Sequence, residues 1–223
     1  MTVEKGMSQP SSSGTLHALR AHGANPEKLY AALGIPMPAD VIDFSTNTCA
    51  LPWPDEAVAR VIDNTARLAS AYPDDECLAL RRLIAAREGL ALENVLISNG
   101  SNEALYLLAS FFVGRRAAVL QPSYGEYARA LHAFGAEVED VFSLDSADRA
   151  DLLILSNPCN PTGAYLPPEE LARFAADHPD ATLAVDEAYI DFLLTREREG
   201  LDLSALPNVL LLRSLTKTYH LSG

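Results

Sequence analysis

The residues whose types and spacing could do chemistry fall in four short runs. The last is Arg213-Ser214-Leu215-Thr216-Lys217, fed by the apolar run Val209-Leu210-Leu211-Leu212. Four apolar residues without alternation predict a strand buried on both faces, as in a parallel sheet. Such a strand delivers Ser214 and Lys217 at its carboxyl end, where open α/β sheets bind ligands. A lysine amine partly stripped of water there is a nucleophile able to form a Schiff base. In an open loop the same lysine is only a solvated charge.

The other three runs follow the same logic. Asn99-Gly100-Ser101-Asn102-Glu103 is a glycine turn entering a helix, and helix N-termini offer N–H groups to anions. As a plain capping box it would do no more than start the helix. Asn157-Pro158-Cys159-Asn160-Pro161-Thr162-Gly163 follows an apolar run. Its prolines fix the backbone and are expected to leave asparagine amides pointing into a cleft, as donors to a ring oxygen. Asp186-Glu187-Ala188-Tyr189 follows Leu183-Ala184-Val185. A carboxylate at the end of a buried strand needs a partner to stay ionised, and a protonated ring nitrogen would serve. Otherwise Asp186 caps the next turn. An anion cradle, a ring-oxygen donor, a ring-nitrogen carboxylate and a Schiff-base lysine are together the parts that hold pyridoxal phosphate.

The elements that must position these runs alternate along the chain. Residues 1–14, with Ser11-Ser12-Ser13-Gly14, read as a disordered lead-in, and 15–50 as an N-terminal segment. The latter holds a short helix over 27–33 and an extended piece over 41–45. Pro54 opens a helix to about Ala69, and a second helix runs from about Asp75 to Gly89. Strands are predicted at 95–98, 117–120, 138–142, 152–155, 183–185 and 209–212. Helices are predicted at 102–113, with Ser101 as cap, at 124–134 and at 169–176. This order argues an α/β fold: a mostly parallel sheet with helices on both faces, spanning 51–223.

Composition excludes several classes. The 223 residues carry a net charge of -13, from 30 acidic and 17 basic side chains. No Lys/Arg run could track a phosphate backbone, so no nucleic-acid partner is expected. Cys49, Cys77 and Cys159 are scattered, which points to neither a disulfide framework nor a metal site and fits a cytoplasmic location. No membrane association is expected, since no apolar run is long enough to span a bilayer. A nucleotide-binding α/β domain would need a Gly-x-Gly-x-x-Gly or Walker loop, and neither is present.

Asn-Pro-Cys-Asn-Pro-Thr-Gly, Asp-Glu-Ala-Tyr and Ser-Leu-Thr-Lys together resemble the fold-type I pyridoxal-phosphate enzymes. Within them the chain is similar to the class I/II aminotransferases, in the branch of histidinol-phosphate aminotransferase and threonine-phosphate decarboxylase. The resemblance implies that Lys217 bonds the cofactor aldehyde and shuttles the substrate proton. It implies that Asp186 holds the pyridine nitrogen, and that Asn160 and Tyr189 bond O3′. Ser101, Asn102 and Ser214 would bind the phosphate. Tyr124, in Pro-Ser-Tyr-Gly-Glu-Tyr, would stack on the ring. Tyr72 would reach the phosphate of a neighbouring subunit, making a homodimer. His22-Gly23-Ala24-Asn25 and Asp43-Phe44-Ser45-Thr46-Asn47 look more like the decarboxylases, and Asn47 is expected to meet the substrate.

The expected activity is therefore amino transfer on a small, possibly phosphorylated, amino acid or amine. The alternatives are L-threonine-O-3-phosphate decarboxylation and a non-catalytic cofactor-binding module. The family's lysine is followed by Gly-x-Arg, a further strand and a C-terminal small domain. The sequence stops at Gly223. The large domain is therefore expected to be incomplete and the small domain missing, with weak cofactor binding and little turnover.

Overall fold

The computed structural model describes residues 25–42, 44–49, 51–193 and 202–219. The chain divides into two compact units, 1–48 and 49–223. In the first unit, helix α1 (Pro26–Leu33) starts where the Asn25 side chain accepts the Lys28 N–H at 3.2 Å and stops at Gly34. Residues 1–24, and with them the lead-in, lie outside the described residues. The piece at 41–45 is not a strand where it is described.

The second unit is built on five parallel strands: β1 (Arg116–Leu120), β2 (Glu137–Val141), β3 (Leu152–Ser156), β4 (Thr182–Asp186) and β5 (Val209–Leu212). Their order across the sheet is β2-β1-β3-β4-β5. All five residues of β3 are buried, which is why that segment reads as an unbroken apolar run. Its alternate residues face opposite layers. Leu152 and Ile154 pack with Ala184 beneath α4 (Gly100–Ser110) and α5 (Glu126–Ala133). Leu153 and Leu155 pack with Leu183 and Val185 beneath α6 (Pro168–Asp177). Each such fully buried Leu or Ile contributes about 2 kcal/mol. Both helices that grip the centre show the required face: Tyr127, Ala130 and Leu131 on α5, and Leu171, Phe174 and Ala175 on α6. Gly135, at φ +74°, turns the chain from α5 into β2 in a conformation that a Cβ would strain.

Helices α2 (Asp55–Ala69) and α3 (Leu78–Glu88) precede the sheet, and α7 (Leu215–Thr218) follows it. Helix α3 starts at Leu78, later than the expected Asp75. Asp74 accepts the N–H groups of Glu76 and Leu78, at 3.2 and 2.8 Å, and holds 74–77 as a turn.

Three expectations fail. Residues 95–98 are extended but form no strand, because among the described residues no strand pairs with them, and Leu96 is left 75% exposed. Strand β5 is not buried on both faces: among the described residues it lies at the sheet edge, and Leu210 is 47% exposed. Ser101 is not a cap. The helix begins two residues earlier than expected, at Gly100, Asn99 takes the cap position, and the Glu103 carboxylate accepts the Asn99 N–H.

Candidate active site

The strand order places the site. The chain passes from β1 to β2 on one side, then returns to lay β3 on the other side of β1. The chain therefore leaves β1 toward α5 on one face and β3 toward α6 on the other, and the crevice expected at such a switch point is the usual ligand position in these sheets. Two loops frame it, 121–125 after β1 and 157–163 after β3. The Cys159 thiol donates to the Pro122 carbonyl at 3.2 Å and ties them together.

The second loop is tightly built. Gly163 N–H donates to Cys159 O at 2.7 Å, and Cys159 N–H to Ala164 O at 2.8 Å. Asn157 does not face the cleft as the sequence pattern predicts. It is buried, its amide donates to Leu166 O at 2.9 Å, and its oxygen accepts Leu166 N–H at 2.8 Å. Asn157 thus closes the loop, which leaves half-buried Asn160 as the asparagine for a ligand.

Asp186 ends β4 directly opposite Ser156 of β3 in the parallel register. It is 6% exposed. Tyr127, from α5, donates its hydroxyl to Asp186 Oδ2 at 2.7 Å, and Ala188 N–H donates to Oδ1 at 2.9 Å. Burial pushes the Asp186 carboxyl above the usual carboxylate range. The Tyr127 bond, the Ala188 bond and the charge of Lys217 pull it back. Burial, with the Asp186 charge beside it, pushes the Tyr127 phenol far up, so Tyr127 is a permanent donor.

Tyr124 lies at the mouth of α5, edge-on to Tyr127 with ring centroids 5.7 Å apart. Its hydroxyl donates to Asn102 Oδ1 at 3.3 Å, which joins the first turn of α4 to the β1 loop. Burial, followed by the Glu126 charge, raises the Tyr124 phenol. The N–H groups of Ser101 and Asn102 lie in that first turn of α4, where a helix offers no carbonyl four residues back. Tyr189 follows Asp186 at half-buried depth, and its ring lies 6.2 Å from that of Phe192.

Past β5, Ser214 caps α7: its Oγ accepts Thr216 N–H at 3.3 Å. Lys217 sits in that single turn, half-buried. Its carbonyl accepts Cys49 N–H at 2.8 Å, and the Trp53 indole N–H donates to Tyr219 O. The strand ends are clamped as well. Glu187 N–H donates to Leu212 O at 2.8 Å, and the buried Glu187 carboxylate pairs with Arg213 at 2.5 Å. The cation preceding Ser214 is thereby fixed to the residue following Asp186.

A family model, "Aminotransferase class I and II", matches residues 39–223. The chain belongs to the class I and II aminotransferases. It is 33% identical over 220 residues to "Threonine-phosphate decarboxylase" of Salmonella typhimurium, covering 91% of this chain and 59% of that one. It is 33% identical over 202 residues to "Histidinol-phosphate aminotransferase 2" of Pseudomonas fluorescens, covering 83% and 54%. The chain thus spans little more than half the length of these relatives. The solved L-threonine-O-3-phosphate decarboxylase of Porphyromonas gingivalis superposes with a TM-score of 0.72 at 27% identity, covering 80% of this chain and 59% of that one. Histidinol-phosphate aminotransferase of Sinorhizobium meliloti, solved with pyridoxal-5′-phosphate, gives 0.76 at 22% identity, covering 98% and 61%. That last likeness is one of fold.

In this member of the family, Asn102, Tyr124, Asp186 and Lys217 are linked by bonds or charge, and Ser101, Asn160, Tyr189 and Ser214 lie on the loops and turns that carry them. Tyr72 is not among them: it stands on the loop after α2 and is 100% exposed. Asn47 belongs to the other unit. Sequence reasoning passed over Tyr127, Glu187 and Arg213. A signal existed for the first, since the helix expected over 124–134 would place the phenols of Tyr124 and Tyr127 on one face. None existed for the Glu187–Arg213 pair, which only strand pairing brings together.

Proposed function

We propose that this chain is the cofactor-binding part of a pyridoxal-phosphate-dependent aminotransferase-type enzyme that acts on a small, phosphorylated amino acid or amine. The observation that carries the reading is the pairing of a buried, doubly bonded Asp186 with Lys217 as its cationic neighbour at one crevice. A carboxyl raised by burial fits a group that brings its own positive charge, as a protonated pyridine nitrogen does. Bound pyridoxal phosphate supplies an electron sink for charge developing at the substrate α-carbon.

The residues divide the work. Asp186 holds the ring nitrogen protonated. Asn160 and Tyr189 donate to the ring oxygen, and Tyr124 stacks on the ring face. The N–H groups of Ser101 and Asn102, with the Ser214 hydroxyl, hold the phosphate. Lys217 would hold the cofactor through its aldehyde carbon, with loss of water, and would carry the substrate α-proton. Tyr72, wholly exposed here, contributes to the phosphate of a second copy. A homodimer is supported by α2, which buries none of its own residues and exposes Val58, Val61, Ile62 and Leu68. Three free cysteines accord with a cytoplasmic enzyme.

A second reading, decarboxylation of L-threonine-O-3-phosphate, rests on the 33% identity to the Salmonella relative. The two reactions differ in which α-carbon bond is set perpendicular to the ring, a matter of how the substrate is held. The test is titration of the chain with pyridoxal phosphate, borohydride reduction and peptide mapping. Saturable label confined to Lys217 supports the reading, and label scattered over surface lysines overturns it. Release of carbon dioxide from phosphothreonine without a keto acid separates decarboxylase from transaminase.

A further inference from the structure

Tyr127 is the largest of the side chains that are less than 2% exposed. The apolar layer beneath α4 and α5 runs along β3 and β4 through Leu152, Ile154 and Ala184. By strand alternation its next members are Ser156 and Asp186, register partners at the two carboxyl ends. An apolar side chain at position 127 would complete that layer and leave Asp186 Oδ2 without a donor. A tyrosine fills the same space and puts its hydroxyl 2.7 Å from that oxygen. The carboxylate is thus held at both oxygens, by Tyr127 from the helix layer and by the Ala188 N–H from its own loop. Ser156 completes the frame, donating to Pro158 O at 2.9 Å and accepting Asn160 N–H at 3.4 Å.

We infer that Tyr127 is a positioning residue: it orients the Asp186 carboxylate toward the crevice and holds it ionised for a cationic ring nitrogen. The inference rests on the cofactor reading for its purpose, but the bond itself does not. A hydrogen bond to the charged form of an acid favours that form, and the bond is strong because the site is dry. The titratable and charged groups acting on Asp186 from the elements packed against it are Tyr124 of the loop after β1, Tyr127 of α5 and Lys217 of α7. Tyr127 is the one among them bonded to it; the same hydroxyl also meets Ser156, the register partner of Asp186, so its removal should act on these two strand ends.

The experiment uses the full 223-residue chain, as wild type and as Tyr127→Phe. The Asp186 titration is followed by carboxyl carbon NMR without cofactor, with Asp186→Asn assigning the signal. Pyridoxal-phosphate affinity is then measured spectroscopically in the same proteins. The expected result is an upward shift of the Asp186 titration in Y127F and about tenfold weaker cofactor binding. An unchanged Asp186 titration overturns the inference, even if Y127F is less stable, because a purely structural tyrosine would lower stability and leave the carboxyl where it was. If the titration moves but wild type gives no Lys217-specific binding, the cofactor reading falls and the Tyr127–Asp186 coupling stands. Should Y127F not fold, 3,5-difluorotyrosine at position 127 keeps the shape and strengthens the donor. It must then move the titration downward, and a titration that stays put or rises overturns the inference.

Discussion

Two regions of the crevice are built on different terms. At the carboxyl ends of β3 and β4, Ser156, Asn157, Asp186 and Glu187 are all buried, and each has named partners. At the end of β5 and in α7, Leu210 is 47% exposed, Leu215 40% and Tyr219 39%. The first region is held by packing on both sheet faces. The second is held along its edges, by the Glu187–Arg213 pair and by the bonds from Cys49 and Trp53. On the proposed reading, a carboxylate held ionised in a dry site needs a rigid frame, while a lysine that forms and breaks a bond needs room to move, which the half-buried single turn of α7 allows.

The largest effect that would test this contrast is at Lys217. Lys217→Ala should abolish borohydride-stable labelling of its peptide by pyridoxal phosphate, while thermal stability stays near wild type. A large loss of stability would mean that α7 is part of the rigid frame after all. Ile154→Ala, beneath the Asp186 side of the sheet, should cost about 3 kcal/mol in urea denaturation. A loss well under 1 kcal/mol would remove the distinction between the two regions.

Arg213→Ala leaves the buried Glu187 carboxylate without its ion partner. The expected cost is about 2 kcal/mol, less than for a fully buried pair because Arg213 is partly solvated. Glu187→Gln together with Arg213→Ala should recover part of it, and a cycle with zero coupling would show that the clamp is ornamental.

The pH dependence has a definite sign. Folding raises the Asp186 carboxyl above its unfolded value, so its neutral form is the one the fold favours. Its contribution to stability is fully present below the ordinary carboxylate range and is lost as pH rises through the raised value. Asp186→Asn should therefore flatten the stability of the cofactor-free chain over that window, read by denaturation at a series of pH values. Parallel curves for both proteins would remove Asp186 from the account. The smallest effect belongs to the edge: Leu210→Ser should change stability by less than about 1 kcal/mol, since half of that side chain already meets water.

What the amino-acid sequence determined is what near neighbours in the chain control. Unbroken apolar runs marked β1, β3, β4 and β5, and helical spacing marked α2, α5 and α6. The loops following the strands announced Asn160, Asp186, Ser214 and Lys217 by residue type, and their combined pattern named the family. Only the tertiary structure decided which strands are neighbours. From that order come the parting of the loops after β1 and β3 and, among the described residues, the edge position that exposes Leu210 and the unpaired segment at 95–98. It also turned Asn157 into a loop closure and paired Asp186 with Tyr127 and Glu187 with Arg213. Periodicity records which face of an element is buried. The partner across that face comes from a distant part of the chain, 59 residues away for Tyr127 and Asp186, and is chosen only when the layers pack.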